Sequence, residues 1–227
     1  MEQGVFLGNI MKESDYKEIA FFGKITAGVT HEMKNVLAII KESSGLMEDL
    51  MFMLQEAPLP HEEKIKKALS VIKEQIQRGV ELTSRLNKFA HSTDETTSKI
   101  DLYETVEVLV DLSQRFARLK NVVLKLHPPD QAIAVETNPV HLQMGLLACF
   151  ECCLDLMSEG GRIDIHLSKT EDKIGVQLSC DGNFADKTEF FQNISSSEKW
   201  SRLENIAGLF GGTVKQNQEA CGLLLLF

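Results

Sequence analysis

The feature that most constrains this chain is a long apolar repeat at helical spacing, from Phe21 to Leu54. At about 100° per residue, eight apolar side chains fall within roughly 40° of one direction: Phe22, Ile25, Val29, Met33, Val36, Ile40, Met47 and Leu54. One narrow stripe of this length is typical of an amphipathic helix that packs against other helices. We expect the helix to begin at Asp15, which forms a capping box with Glu18, and to end near Gln55.

A second long helix is predicted from His61 to His91, after the helix-breaking prolines Pro58 and Pro60. Its apolar stripe recurs at spacings of three and four: Ile65, Leu69, Ile72, Ile76, Val80, Thr83, Leu86 and Phe89. Two such helices form an antiparallel hairpin, which cannot bury its own stripes. We therefore expect a homodimer that completes a four-helix bundle. The alternative is that the stripes pack on the chain's own second domain.

The apolar period changes after a polar linker, His91 to Lys99. Predicted helices are Tyr103–Arg118, Pro139–Met157 with Asn138 as cap, and Ser197–Phe210. Strand candidates are Val122–Leu126, Ala132–Val135, Arg162–Leu167, Lys173–Leu178, Thr213–Lys215 and Gly222–Phe227. This order predicts a mixed sheet covered on one face. The fold class is thus α+β, with an N-terminal stub at 1–14, the helical hairpin at 15–95 and an α/β sandwich domain at 96–227.

Composition excludes several classes of function. The net charge of -9 argues against a nucleic-acid partner, because phosphate binding needs clustered Lys and Arg. No apolar run approaches the roughly 20 residues of a membrane span, and no signal-like segment is present. Of the five cysteines, Cys149 and Cys152 are one helical turn apart and could share a metal, but no second pair at ligand spacing follows them, so we expect reduced, buried thiols and no disulfides. We expect a cytoplasmic protein that binds no membrane.

His31 lies on the face of the first helix opposite the apolar stripe, so it is not a core residue of that stripe. One turn earlier, Ala27 and Gly28 are small and leave the imidazole accessible. Asn35, one turn later, lies on the same face, and Glu32 lies at the border of the stripe. An imidazole, an adjacent carboxylate and an amide are a candidate reaction centre for a group that docks from outside.

The run from Gly23 to Asn35, with His31-Glu32-Met33-Lys34-Asn35 at its end, resembles the H-box of sensor histidine kinases. That motif reads His-Glu-x-x-Asn and usually continues with proline, where this chain has Val36. The second half resembles the ATP-binding domain of the same family, anchored by His141 to Ile163 with its Gly160-Gly161 turn. The resemblance implies a phosphoaccepting His31 on a dimeric hairpin, followed by an α/β domain.

Three elements of the family's ATP site are degraded in this chain. Cys152 and Ala148 stand where the family has asparagines, and a thiol is a poor ligand for Mg²⁺. Cys180-Asp181-Gly182-Asn183-Phe184-Ala185 replaces the expected Asp-x-Gly-x-Gly, and Ser195 to Arg202 contains no glycine. We therefore do not expect stable ATP binding or any other bound cofactor.

The resemblance then implies a histidine phosphotransferase that passes phosphoryl groups between His31 and the aspartates of response-regulator receiver domains. Glu32 would accept the second ring N–H of His31, and Asn35 would hold a water or a phosphoryl oxygen. Lys24 and Lys34 would flank His31 and attract phosphate, and the receiver would hold Mg²⁺.

Three alternatives use the same residues differently. A response-regulator phosphatase would use Asn35 to position the attacking water. An ATP-dependent sensor histidine kinase would need an unusual nucleotide site. A non-catalytic dimeric scaffold would bind a receiver without using the chemistry of His31.

Overall fold

A computed structural model describes residues 3–53, 62–157, 160–169, 173–182, 191, 198–218 and 221–227. Its helices are α1 (Gln3–Met53), α2 (Glu62–Ala90), α3 (Leu102–Arg118), α4 (Pro139–Leu156) and α5 (Glu198–Leu209). Its strands are β1 (Ser98–Asp101), β2 (Val122–Leu126), β3 (Ala134–Thr137), β4 (Gly161–Lys169), β5 (Ile174–Asp181), β6 (Thr213–Asn217) and β7 (Gly222–Leu226).

The two long helices lie against each other as the predicted hairpin. The predicted start of α1 at Asp15 is wrong, because the helix already begins at Gln3. No proline occurs before Asp15 to stop the helix. The predicted break at Pro58 and Pro60 lies outside the described residues, as does Leu54. A short 3-10 turn, His91–Thr93, follows α2.

The second half contains the predicted mixed sheet, with strand order β2-β4-β5-β7-β6. The pair β2–β4 is parallel, and the other three pairs are antiparallel. Strands β1 and β3 form a separate antiparallel pair in which Ser98 faces Thr137. The strand predicted at Ala132–Val135 is observed two residues later, as β3. The predicted linker, His91 to Lys99, contains the first two residues of β1. The predicted α+β class, a helical part followed by an α/β domain with a mixed sheet, is confirmed.

The core of the α/β part lies between one face of the sheet and α3, α4 and α5. Strand residues on this face are fully buried: Ile163, Ile165, Val176, Leu178, Leu223 and Leu225. The start of α4 is as predicted, because Asn138 Oδ1 accepts a hydrogen bond from the backbone N–H of His141 at 2.9 Å. Among the described residues, no helix is long and apolar enough to cross a bilayer.

One end of the hairpin, where residues 21–29 of α1 lie beside the C-terminal end of α2, packs on the α/β part. Phe21, Ile25 and Val29 of α1 and Phe89 of α2 belong to the same buried cluster as the residues of α3 and α4. The rings of Phe21 and Phe89 meet edge to face with 5.4 Å between centroids. The alternative considered for the stripes, packing on the chain's own second domain, is therefore right for this end of the hairpin.

Candidate functional site

His31 is exposed on α1, on the side of the helix away from the α/β part. A wide surface groove runs beside it, and the described residues that line it all belong to α1: Ile19, Phe22, Gly23, Thr26, Ala27, Thr30, His31 and Lys34. Most of this described lining is apolar or small, and Lys34 supplies its one ammonium group. A partner can therefore reach the imidazole without displacing any other element among the described residues.

Asn35 lies next to the ring of His31, as the spacing predicts. Its side-chain nitrogen is 3.4 Å from Nδ1 of His31. Since Asn35 engages Nδ1, the outer ring nitrogen, Nε2, has no side-chain partner in the part of the chain that the structure describes. The pair presents one free ring nitrogen to the surface.

Glu32 has a different environment from the one expected. Its side chain is buried, with 8% of the residue exposed. One carboxylate oxygen, Oε2, accepts hydrogen bonds from Arg78 of α2 at 2.7 Å and from Arg118 of α3 at 2.5 Å. The expected hydrogen bond from the His31 ring to Glu32 is not formed, because Arg78 and Arg118 hold and neutralise the buried carboxylate on another side of α1.

Lys24 and Gly28 also face the α/β part. Lys24 forms an ion pair with Glu151 of α4 and lies 5.2 Å from the ring centroid of Phe116. Gly28 is buried, and a Cβ there would lie 3.5 Å from Phe116. The prediction that Lys24 flanks His31 is wrong, since it belongs to the covered side of α1. Lys34 remains beside His31.

The position at which the sequence predicts a degraded nucleotide site lies against α1. Ala148 and Cys152 line a cavity of about 230 Å³ together with Phe21 and Lys24 of α1 and with Lys199 of α5. Glu151 is engaged by Lys24, and Lys199 pairs with Asp155. Pockets for small ligands and cofactors typically measure 300–1,000 Å³. This cavity is smaller, and α1 side chains form one of its walls.

The Cys152 side chain is a neutral thiol at physiological pH. Burial is the main cause that raises its pKa, to about 11, although the nearby Lys199 acts in the opposite direction and Glu151 adds to the rise. Neutral thiols are poor ligands for metal ions, and Mg²⁺ in particular prefers oxygen ligands. The residue at this position of α4 does not replace an asparagine chemically.

The other segments of this predicted site lie only partly within the described residues. Asp181 ends β5 with an exposed side chain, whose Oδ2 accepts from Nη2 of Arg162 at 3.4 Å. Phe184 and the start of the glycine-free segment, at Ser195, lie outside the described residues. Asp181, the aspartate of this segment, thus pairs with Arg162 at the surface.

We expect Cys152 to resist alkylation in the native protein. With a pKa of about 11, about one thiol in a thousand is ionised near pH 8, and only the thiolate reacts. Iodoacetamide modification, followed by mass spectrometry, should be at least about a hundredfold slower than in the unfolded chain. Ser168→Cys supplies an exposed reference thiol. Equal rates at both cysteines would show that α1 does not stay on α4.

Sequence reasoning missed Arg78 and Arg118. They come from α2 and α3, 46 and 86 residues from Glu32, so no local spacing connects them. One signal in the sequence indicated that Glu32 needs a cationic partner. Its carboxylate lies at the border of an apolar stripe, and a carboxylate that becomes buried requires a cation.

Comparison with known proteins gives one significant relative among curated sequences. Sporulation kinase D of Bacillus subtilis (strain 168) is 22% identical over 217 residues, covering 91% of this chain. This chain is similar to a kinase. It spans 41% of that protein's length. No family model matches the chain.

Solved structures of histidine kinases are also similar in fold. The catalytic domain of histidine kinase ThkA has a TM-score of 0.47 and 16% identity, covering 59% of this chain and 95% of that one. The structure of ThkA in complex with the response regulator TrrA has a TM-score of 0.42 and 18% identity. It covers 96% of this chain and 65% of the ThkA chain.

Proposed function

We propose that this chain is a histidine phosphotransferase of a two-component system, which exchanges phosphoryl groups between His31 and receiver aspartates without ATP-dependent kinase activity of its own. One observation carries the proposal: α1 exposes His31 on one side and covers the Ala148–Cys152 face of α4 with the other. The similarity to a sporulation kinase supports a role in two-component signalling.

The geometry around His31 supports a simple transfer step. Nε2 attacks the phosphorus of an aspartyl phosphate, forming the N–P bond while the P–O bond to the aspartate breaks and the carboxylate leaves. The ring keeps its Nδ1 proton and becomes positively charged. The Asn35 amide, turned so that its oxygen faces Nδ1, accepts that proton's hydrogen bond. Lys34 lies beside the approaching phosphate, and Mg²⁺ belongs to the receiver.

A phosphorylated receiver, incubated with the purified chain, tests the proposal. We expect the radioactive label to move from the receiver to the chain and from there to a second receiver. Labelled ATP with Mg²⁺ should leave the chain unlabelled in the absence of a receiver. Rapid labelling by ATP alone would contradict the proposal and identify an autokinase with an unfamiliar nucleotide site.

A response-regulator phosphatase is the second candidate, favoured by the exposure of Asn35 next to His31. An exposed amide at this position is able to hold a water against a docked aspartyl phosphate. This reading predicts that the receiver loses its label as inorganic phosphate while the chain stays unlabelled at every time point.

We further propose that the chain forms a homodimer through the distal half of the hairpin. Seven apolar side chains there are between 40% and 75% exposed: Leu37, Leu46, Met51 and Phe52 on α1, and Leu69, Ile76 and Val80 on α2. Three of them belong to the predicted α2 stripe, which the chain's own α/β part leaves open. A second copy offers the same apolar surface, and a two-fold contact would complete a four-helix bundle.

Light scattering tests the proposed dimer. The wild-type particle should have twice the 25.4 kDa mass of one chain. The double variant Ile76→Glu with Val80→Glu should be monomeric, because like charges would face each other across the bundle. Val123→Glu, at an exposed apolar residue of the α/β part, is the control and should stay dimeric. A monomeric wild type would disprove the proposal.

A further inference from the structure

Glu32 and His31 are neighbours in sequence, but their side chains belong to different parts of the molecule. The Glu32 carboxylate lies in a cleft between α1, α2 and α3, where it is held by Arg78 and Arg118. Two other arginines line the same cleft: Arg85, which pairs with Asp111, and Arg115. The site therefore contains two arginines that contact Glu32 and two that do not.

The contacts of Glu32 fix its side chain firmly. A buried carboxylate that loses its cationic partners becomes costly, so that it either leaves the cleft or takes up a proton. Each arginine comes from a different helix, and both reach the same oxygen. While both arginines are in place, their ion pairs keep the Glu32 carboxylate in the cleft and away from the exposed His31 ring.

We propose that Arg78 and Arg118 are positioning residues of the His31 site. They hold Glu32 in the cleft between the hairpin and the α/β part, so that Asn35, with its amide oxygen turned towards Nδ1, orients the imidazole and leaves Nε2 without a proton. Glu32 thereby acts as the anchor of α3 on the hairpin and not as a proton acceptor for the ring. The expected effects on phosphotransfer rest on the proposed function. The expected position of the proton on the His31 ring is measured without a receiver.

Ring ¹⁵N chemical shifts of His31 report which nitrogen carries the proton. We expect Glu32→Gln to leave both ring signals as in wild type. Asn35→Ala should reduce the Nδ1–H form, because the orienting amide is lost. A Glu32→Gln variant that changes the ring signals as much as Asn35→Ala would overturn the proposal.

A rescue experiment tests the two arginines directly. In the Asn35→Ala background, Arg78→Gln with Arg118→Gln should release Glu32, which is then free to accept the Nδ1 proton and restore the Nδ1–H form. The matched control is Arg85→Gln with Arg115→Gln, which changes the same charge on the same two helices of the same cleft. The control should not restore this form, and equal behaviour of the two double variants would contradict the proposal.

Phosphotransfer gives an independent readout. Asn35→Ala should slow transfer by about tenfold, the effect of one orienting hydrogen bond, and releasing Glu32 should recover part of that loss. Circular dichroism verifies that each variant folds. If the arginine variants do not fold, the single comparison of Glu32→Gln with Asn35→Ala still decides the proposal. Failure of transfer in wild type, with the expected ring signals, would contradict only the proposed function.

Discussion

Replacing His31 with alanine should abolish phosphoryl transfer to the chain, reducing it by at least about a thousandfold. In the proposed transfer step the exposed imidazole is the nucleophile, and of the other described residues that line its groove only Lys34 carries an ionisable nitrogen. The measurement is the transfer of label from a phosphorylated receiver, followed over time. His91→Ala is the matched control, because the His91 side chain is also exposed but pairs with Asp94.

The same variant separates the possible functions. Retained labelling of His31→Ala would contradict the assignment of the phosphoaccepting residue. Loss of labelling with continued release of inorganic phosphate from the receiver would favour the phosphatase reading, which requires Asn35 and not the imidazole. Unchanged receiver binding without any transfer in wild type would favour a scaffold.

Replacing Phe89 with alanine should destabilise the folded chain by about 3–5 kcal/mol. Phe89 is 1% exposed, and its ring lies 4.8 Å from that of Phe22 and 5.4 Å from that of Phe21. The substitution leaves a cavity in the buried cluster to which α1, α2, α3 and α4 all contribute. Urea denaturation followed by circular dichroism measures the loss of the free energy of unfolding.

Leu119→Ala is the control for this measurement. Leu119 is 69% exposed, and such surface substitutions usually change stability by less than about 0.5 kcal/mol. If Phe89→Ala loses no more stability than Leu119→Ala, the hairpin and the α/β part do not share one core. A separate early unfolding transition in urea that involves only the two long helices would also show that the hairpin and the α/β part do not share one core.

Local patterns in the sequence were sufficient for most of the secondary structure. The helical period and the Asn138 cap placed α3, α4 and α5 within about two residues of their observed bounds. Such signals lie within one turn or one strand, so neighbouring residues carry them. The start of α1 was misplaced for the same reason, since Asp15 and Glu18 have the residue types of a capping box whether or not a helix already runs through them.

The sequence by itself determined that His31 stands on the open side of a long helix, with Asn35 one turn away and the α+β architecture behind it. Only the tertiary structure decided where Glu32 and Lys24 point. Their partners, Arg78, Arg118 and Glu151, lie on other helices. Helical periodicity fixes the direction of a side chain on its own helix. The partner of a buried charge is whichever opposite charge lies near it after the helices have packed, and no local spacing in the sequence gives that partner.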